Sequence, residues 1–381
     1  MRARGALLLA MALLVGQGLA CAAPAAPSAG PKPERRDAPG PAPAPATAPA
    51  TSQASQAPQR PERPERVVVG FFPSTTSTVL RIAHEHGYFA EQGLEPDLTP
   101  FNSLPDAVVQ LNAGQLEIYG GGAGANLFNA VARGIELRAV ADWARSEAGA
   151  KAKAAVARLD LWDSGEIRGL ADLRGRTVST IVSTGGQEYQ LAKLLQTVGL
   201  TLDDVVLKGM TPADQLAALA NKGTDAAYFF QPALCTAERR NLGVVLQPIF
   251  DDIAPGTHGG LLYYGEQFVR ERSPVARAFM VAYLKAVREY TDAQRTGANR
   301  AQVMALMQKY VPMQDPNYYE ECEWGRVNPD GYIDRHWLDD EMQWAVQAGF
   351  LDRPVSVDRF VDHTFVDHAM RVLGPYRPAG Q

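Results

Sequence analysis

Residues 67–71 read Val67-Val68-Val69-Gly70-Phe71, and the hydroxyl run Ser74-Thr75-Thr76-Ser77-Thr78 follows them after Pro73. A β-branched run of this length is typical of a buried strand. A helix is predicted behind it, because apolar residues recur on one helical face and Gly87 can end the helix; these residues are Val79, Leu80, Ile82 and Ala83. The sequence therefore predicts a strand–turn–helix unit whose helix begins in the hydroxyl run.

The same unit repeats twice along the chain. A second strand is predicted near Asp97–Phe101, with a helix after it that ends at Gly114, and a third strand at 117–119 runs into Gly120-Gly121-Gly122-Ala123-Gly124. Such alternation indicates a parallel or mixed sheet with helices on both faces. Ligands bind beyond the carboxyl ends of the strands in such sheets, and the turns at 74–78 and 120–124 both fall there.

Three motifs within this segment follow one another in a fixed order. They are Gly87-Tyr88-Phe89-Ala90-Glu91-Gln92-Gly93-Leu94, Leu111-Asn112-Ala113-Gly114-Gln115-Leu116-Glu117-Ile118 and Asn129-Ala130-Val131-Ala132-Arg133-Gly134. They resemble the signatures of solute-binding proteins of ABC importers, in the branch that takes nitrate, sulfonates, taurine and thiamine-pyrimidine precursors. Glu117 stands where that family usually has Asp. Further along, Leu159–Ile167 and Leu170–Val178 resemble the family's entry into a second lobe.

The resemblance implies a two-lobe α/β fold of the type II periplasmic-binding-protein kind, in which each lobe is a mixed sheet flanked by helices. We expect the first lobe over residues 67–150 and the second over 151–255. Residues 256–381 would return to the first lobe and add C-terminal helices, predicted at Asn299–Tyr310, Asp334–Gln347 and Ser356–Leu373.

The N-terminal residues predict export. Residues 1–20 have basic residues before an apolar core that is too short for a membrane span, as in a signal peptide. Gly18-Leu19-Ala20-Cys21 resembles a lipobox, which would make Cys21 a lipidated N-terminus; the alternative is cleavage after Ala22. Residues 21–66 should be a disordered linker, because they are rich in Pro and Ala and contain no aliphatic residue larger than Ala and no aromatic residue. We expect an extracytoplasmic protein that is lipid-anchored to the cell membrane, or a periplasmic one.

The charge and composition of the chain limit the classes of binding partner that we expect. The chain has a net charge of −5, with an excess of acidic residues after residue 66 and no basic stripe. We therefore expect no nucleic-acid binding. Beyond the N-terminal segment no apolar run approaches a transmembrane length, so membrane contact would depend on the lipid anchor or on permease subunits. We expect a monomer.

The motifs of several catalytic classes are missing from the sequence. It contains no G-x-S-x-G, C-x-x-C or H-E-x-x-H pattern, so neither covalent nor metal catalysis is supported. The turn at Gly122-Ala123-Gly124 could be half of a dinucleotide fingerprint, but Leu127 occupies the third glycine position. We therefore predict a protein that is not an enzyme and has no cofactor and no metal. Whether Cys235 and Cys322 pair stays open.

The candidate binding residues lie in two hydroxyl- and glycine-rich turns and at strand ends. The turns come from different predicted lobes, which suits a ligand held between them, and aromatic rings at strand ends could stack on that ligand. The alternative is that the hydroxyls only cap helices and the rings only fill cores. The predicted ligand-binding residues are Ser74, Thr75, Thr76, Gly122, Ala123, Trp143, Ser183, Thr184, Gly185, Gly186, Tyr228 and Gln231.

These observations favour an extracytoplasmic solute-binding component of an ABC importer. It would capture a small organic molecule or oxyanion, of the sulfonate, pyrimidine or aromatic-acid class, and deliver it to a membrane permease. The alternative is an enzyme of the same fold resembling the thiamine-pyrimidine-precursor synthases. The export signal and the missing cysteine cluster count against that enzyme.

The lipidation of Cys21 is directly testable. Replacing it, Cys21→Ser, should release the protein from membranes and change its electrophoretic mobility, because the acyl chains would be lost. Membrane fractionation and gel mobility measure both effects. Unchanged behaviour in both assays would show that Cys21 is not lipidated.

Overall fold

The computed structural model describes residues 63–101, 104–181, 185–313, 315 and 317–380. The predicted signal peptide, Cys21 and almost all of the predicted linker lie outside the described residues, as do Ser183 and Thr184. What the sequence predicts for those positions stays a prediction.

The strands of the described chain form two sheets. In chain order they are β1 (Glu65–Phe71), β2 (Leu94–Pro100), β3 (Ile118–Gly122), β4 (Leu137–Arg145), β5 (Lys153–Arg158), β6 (Thr177–Ile181), β7 (Val206–Met210), β8 (Ala226–Phe230), β9 (Gly243–Val245) and β10 (His258–Gly265). The first sheet has the order β2-β1-β3-β10-β4 and the second β7-β6-β8-β5-β9. In each sheet one strand runs antiparallel to both of its neighbours, β10 in the first and β5 in the second.

The chain therefore leaves the first sheet after β4, builds the second sheet from β5 to β9, and returns through β10. We call the two sheets with their helices the first and second lobes. The fold class predicted from the sequence, a two-lobe α/β protein with mixed sheets, is confirmed.

Helices cover both sheets. They are α1 (Thr78–Glu85), α2 (Tyr88–Glu91), α3 (Leu104–Asn112), α4 (Ala125–Ala132), α5 (Leu159–Asp163), α6 (Gly186–Gln196), α7 (Pro212–Ala220), α8 (Ala233–Arg239), α9 (Phe250–Ile253), α10 (Glu266–Glu271), α11 (Ser273–Arg295), α12 (Arg300–Tyr310), α13 (Tyr318–Glu321), α14 (Arg335–Gln347) and α15 (Thr364–Leu373). Short 3₁₀ turns occur at Thr75–Ser77, Leu170–Leu173, Leu202–Asp204 and Val357–Arg359. Among the described helices, none combines the length and the apolar character that crossing a membrane requires.

The C-terminal helices pack on the first lobe, on both sides of its sheet. On one side α11 buries Phe279, Tyr283 and Val287 in a core that also includes residues of α1 and α15. On the other side α14 buries Leu338 and Met342 against α4. Burial of large apolar side chains of this kind contributes roughly 1.5–3 kcal/mol each, so these helices are part of the lobe and not appendages.

The predicted last helix, Ser356–Leu373, is wrong in its first half. The backbone around Val361 pairs with the edge of the sheet instead: Ala139 N donates to Phe360 O at 2.7 Å, and Asp362 N donates to Ala139 O at 3.0 Å. Asp362 Oδ1 then accepts from Thr364 N at 2.9 Å, and α15 begins there. The helical spacing of apolar residues was continuous through this break, so sequence periodicity could not reveal it.

Two segments join the lobes, residues 146–152 and 254–257, and we call them the hinge segments. They lie side by side, because Ser146 N donates to Thr257 O at 2.8 Å and Gly256 N donates to Ser146 O at 2.9 Å. The Lys153 ammonium donates to Ser146 Oγ at 2.6 Å, and Asp251 Oδ2 accepts from Lys153 N at 3.0 Å. Burial lowers the pKa of Lys153 and raises the pKa of Asp251.

Cys235 and Cys322, whose pairing the sequence left open, form a disulfide bond. Cys235 in α8 is bonded to Cys322, the residue after α13, and their Cα atoms are 5.9 Å apart. The bond joins a helix of the second lobe to a segment packed on the first.

Candidate functional site

The two lobes meet where two glycine-containing turns approach each other closely. An added Cβ on Gly185 would lie 2.7 Å from Ala125 Cβ, and one on Gly186 would lie 3.3 Å from Ala123 O. Gly185 also has a φ of +86°, a conformation that disfavours other residues. We call this contact, residues 122–125 of the first lobe against Gly185–Gly186 of the second, the interlobe seam.

The first-lobe side of the seam has free space beside one residue. An added Cβ on Gly122 would meet nothing within 4 Å. The backbone there is nevertheless fixed, because the Tyr263 hydroxyl donates to Gly122 O at 2.7 Å. The end of β3 is thus a rigid surface with room for a small group next to it.

Helix α14 closes the seam from one side. It belongs to the first lobe, yet Asp340 accepts a hydrogen bond from the Tyr189 hydroxyl of α6 at 2.6 Å and pairs with Lys193 Nζ at 2.6 Å. Trp344 contacts the ring of Tyr189, with 5.7 Å between centroids. These contacts between α14 and α6 hold the lobes in a closed arrangement.

One side chain of α14, Glu341, enters the seam. It is 3% exposed, and its Oε1 lies 3.2 Å from the position of an added Cβ on Gly186. Burial raises the pKa of Glu341 to about 8, against the opposing effect of the Lys153 ammonium and with a smaller increase from Asp340. The carboxyl group is therefore largely protonated at neutral pH and can donate a hydrogen bond.

Glu341 was missed by the sequence analysis. It lies in a helix whose apolar face was the only recognisable signal, and its distance in sequence from both turns hides its position. A carboxylate at a helical position is normally a solvent-facing residue, so only the packing of α14 across α6 identifies it.

The predicted hydroxyl cluster of the first lobe has structural partners. Ser74 caps the 3₁₀ turn by accepting from Ser77 N at 3.3 Å, and Thr75 Oγ1 accepts from Gly325 N at 2.9 Å. Thr75 and Thr76 are also buried, with exposures of 8% and 3%. These bonds favour the helix-capping interpretation, and a ligand role for Ser74, Thr75 and Thr76 stays a prediction.

The predicted stacking rings lie in the cores of the lobes. Trp143 is 2% exposed and stacks on Tyr283, with 6.2 Å between centroids and an interplanar angle of 5°. Its ring fills the space above Gly120, where an added Cβ would lie 2.3 Å from it. Tyr228 is fully buried in the second lobe, and its hydroxyl donates to Gln190 Oε1 at 3.3 Å.

Gln231 is held by three hydrogen bonds near the first hinge segment. Its Nε2 donates to Lys151 O at 2.9 Å, and its Oε1 accepts from Cys235 N at 3.2 Å and from the Tyr318 hydroxyl at 3.4 Å. The side chain thus links the hinge, α8 and α13. Gln231 therefore connects the two lobes through its hydrogen bonds, and a role for it in ligand binding stays a prediction.

Of the predicted residues, the structure brings together Gly122, Ala123, Gly185 and Gly186. Ser183 and Thr184 directly precede Gly185 in the sequence but lie outside the described residues. Within the described part of the chain, no group of three or more His, Cys, Asp or Glu side chains is placed to hold a metal ion.

Comparisons with known proteins agree with this architecture. The chain matches the family model described as "NMT1/THI5 like" over residues 74–296. It is 25% identical over 304 residues to a "Putative binding protein" of Brucella abortus (strain 2308), an alignment that covers 76% of this chain and 88% of the relative.

Solved structures of the same fold include a binding protein and an enzyme. The periplasmic aliphatic sulphonate binding protein SsuA from Escherichia coli superposes with a TM-score of 0.62 at 19% identity, over 78% of this chain and 91% of SsuA. The desulfurization enzyme DSZB superposes with a TM-score of 0.58 at 14% identity, over 81% of this chain and 99% of DSZB. These likenesses establish the fold.

The positions of Trp143 and Tyr228 lead to a stability prediction. Trp143→Ala and Tyr228→Ala should each lower the free energy of unfolding by about 3–5 kcal/mol, because each leaves a large cavity in a core. Trp143→Phe, which keeps an aromatic ring, should lose less. Denaturant unfolding measures these changes. A variant that keeps its stability but loses affinity would instead place that ring against a ligand.

The position of Glu341 leads to a pH prediction. In the open state this carboxyl would be in water with its usual pKa, so closure takes up a proton at neutral pH. The raised pKa makes closure most favourable below about pH 4.5, and the closing equilibrium should fall by up to about tenfold per pH unit as pH rises from there through 8. Tyr189 of α6, Tyr263 of β10 and Lys153 of β5 share this environment.

Small-angle scattering between pH 5 and 9 tests this dependence. The wild-type protein should expand as pH rises, Glu341→Gln should stay compact across the range, and the exposed Glu95→Gln should behave as wild type. A pH response that persists in Glu341→Gln would assign it to another group.

Proposed function

Because this chain belongs to the NMT1/THI5-like family, we propose that it is the extracytoplasmic solute-binding component of an ABC importer. The observation that carries the proposal is the interlobe seam, where glycine turns of the two lobes meet. The lobes are joined by the two hinge segments. Such an arrangement buries a small molecule between surfaces that separate when the lobes open.

A ligand bound at the seam would favour the closed form, because it would contact both lobes there. A ligand shifts the open–closed equilibrium only by the difference between its affinities for the two forms. Gly122 and Ala123 offer contacts on one side, and Gly185 and Gly186 on the other. A molecule bound to one turn alone would not favour closure, so both turns belong to the proposed site, together with Ser183 and Thr184 beside them.

The chemistry of the seam supports a ligand with hydrogen-bond acceptors. The start of α6 is the positive end of a helix dipole and attracts negative charge, and the protonated Glu341 carboxyl can donate a hydrogen bond. A sulfonate, a pyrimidine or an aromatic acid would each supply acceptors. That SsuA is named as an aliphatic sulphonate binding protein supports testing sulfonates first.

Membrane permease subunits are the proposed partners, and a lipid on Cys21 the proposed anchor. A closed, ligand-bound protein would be recognised at the permease and would release the molecule as the lobes open. The 45 or so residues of the linker would let a tethered protein reach its partner, since a Pro-rich chain spans about 3 Å per residue.

An enzyme of the same fold is the second candidate, resembling a thiamine-pyrimidine-precursor synthase. The desulfurization enzyme DSZB shares the fold, so the architecture accommodates catalysis as well as binding. A binding protein returns its ligand with unchanged mass, whereas an enzyme returns a product of different mass.

Mass spectrometry of the purified protein tests the proposal. Native spectra of protein from its own host should show a bound small molecule, and calorimetry with sulfonates, nitrate, pyrimidines and aromatic acids should identify its class. After incubation the recovered ligand should have its original mass. Recovery of an altered molecule would support the enzyme, and no binding across the panel would count against both candidates.

The free space beside Gly122 allows a specific test of the site. Gly122→Val should weaken binding of the identified ligand at least about tenfold, equivalent to 1.4 kcal/mol, because the side chain would occupy that space without clashing at Cβ. Gly169→Val is the matched control, since its added Cβ also meets nothing within 4 Å and the residue precedes the 3₁₀ turn Leu170–Leu173, outside both glycine turns of the seam. Equal affinities in both variants, measured by calorimetry, would move the site elsewhere.

A further inference from the structure

The disulfide Cys235–Cys322 connects the two lobes covalently. Its cysteines are 87 positions apart, and the chain between them contains the second hinge segment, residues 254–257. Without the disulfide the hinge segments are the two peptide connections between the lobes. With it, the described chain has three covalent connections.

The first-lobe end of this link is firmly anchored. Tyr319 and Trp324, on either side of Cys322, are 1% and 2% exposed, and both belong to the core that α11 forms. Trp324 Nε1 donates to Tyr319 O at 2.8 Å, and the Arg300 guanidinium lies 4.2 Å from the centre of the Trp324 ring. Cys322 therefore cannot move far without disturbing the core.

The second-lobe end is equally fixed. Cys235 lies in α8 next to Leu234, which is fully buried in a second-lobe core that also contains Ala237. Its N–H donates to Gln231 Oε1 at 3.2 Å, while Gln231 Nε2 donates to Lys151 O in the first hinge segment at 2.9 Å. The link thus stands about one helical turn from that hinge segment.

The non-covalent contacts between the lobes on the same side of the molecule are too weak to hold the lobes together against an opening motion. Arg239 pairs with Asp315 at 2.5 Å and with Glu321 at 3.3 Å, but these partly exposed ion pairs contribute little and exchange readily with water. The Tyr318–Gln231 hydrogen bond is long at 3.4 Å. An opening motion would break all of them at low cost, whereas the S–S bond would stay.

We propose that the Cys235–Cys322 disulfide acts as a tether that limits how far the two lobes open. Two parallel hinge segments allow the lobes to rotate about them. A third link, anchored in both cores and displaced from the hinge, removes the widely opened arrangements from the ensemble.

The tether has a consequence for ligand affinity, and this part depends on the proposed function. Fewer open arrangements leave a larger closed fraction, and the apparent affinity rises in proportion to the fraction of protein in the binding-competent form. A dithiol reductant would break the S–S bond by exchange: it is oxidised to its own disulfide, its two electrons and two protons leave Cys235 and Cys322 as thiols, and the tether is released. The predicted export signal would place the protein in a compartment where such a bond persists.

The test compares ligand-free proteins that contain the complete mature chain. Cys235→Ala/Cys322→Ala should have a larger radius of gyration by small-angle scattering than the oxidised wild type. Hydrogen exchange followed by mass spectrometry should show loss of protection at the start of α6 and in α14, with the core strands of each lobe unchanged. Arg239→Ala is the matched control, because it removes ion pairs on the same side and should leave both measurements as in wild type.

Wild-type protein that is folded first and then reduced with a phosphine provides the same comparison if the double variant fails to fold. An unchanged radius and unchanged exchange after loss of the bond would overturn the proposal. Faster exchange throughout the lobe cores would also overturn it, since the disulfide would then stabilise the lobes instead of limiting their opening. Neither measurement uses a ligand, so a failure of the proposed function would not affect the result.

Discussion

The closed arrangement of this protein depends on the close approach of two backbone turns. Residues 123–125 and Gly185–Gly186 come so near that a side chain on either glycine would touch the opposite lobe. Glycine at these two positions is what allows the start of α6 to approach the turn that follows β3. The contacts of α14 with α6 accompany this approach, since Tyr189 and Lys193 both reach Asp340 in the same arrangement.

The protonation state of Glu341 affects the contact between the two lobes. The start of a helix favours negative charge, whereas burial between two lobes favours the neutral acid. Burial has the larger effect here, since the pKa of Glu341 rises to about 8 even though the Lys153 ammonium acts in the opposite direction. The seam therefore holds a hydrogen-bond donor at neutral pH, at a place where a charged carboxylate would repel an acidic ligand.

The hinge and the disulfide act on the same motion from different positions. The hinge segments are hydrogen-bonded to each other and supported by the buried Lys153 and Asp251, so in the proposed opening motion they would guide the rotation of the lobes. The disulfide joins α8, whose Leu234 and Ala237 lie in a second-lobe core, to Cys322 in the first-lobe core. If the proposed tether limits the opening, the two halves of the proposed site would stay near each other in every arrangement that admits a ligand.

The sequence by itself determined the alternation of strands and helices, and with it the fold class. It also determined the glycine turns, because a missing side chain is recognisable without knowing what approaches it. Tertiary structure decided which of the predicted residues meet. The prediction that Trp143 and Tyr228 lie at strand ends is wrong: Trp143 lies within β4 (Leu137–Arg145) and Tyr228 is the middle residue of β8 (Ala226–Phe230). Whether such a ring faces a cleft or a core depends on the helices packed over it, here α11 and α6. Glu341 and the Cys235–Cys322 pair were beyond sequence reasoning for the same physical reason. Each joins segments far apart in the chain, and the distance between such segments is set by the packing of whole lobes and not by local preference.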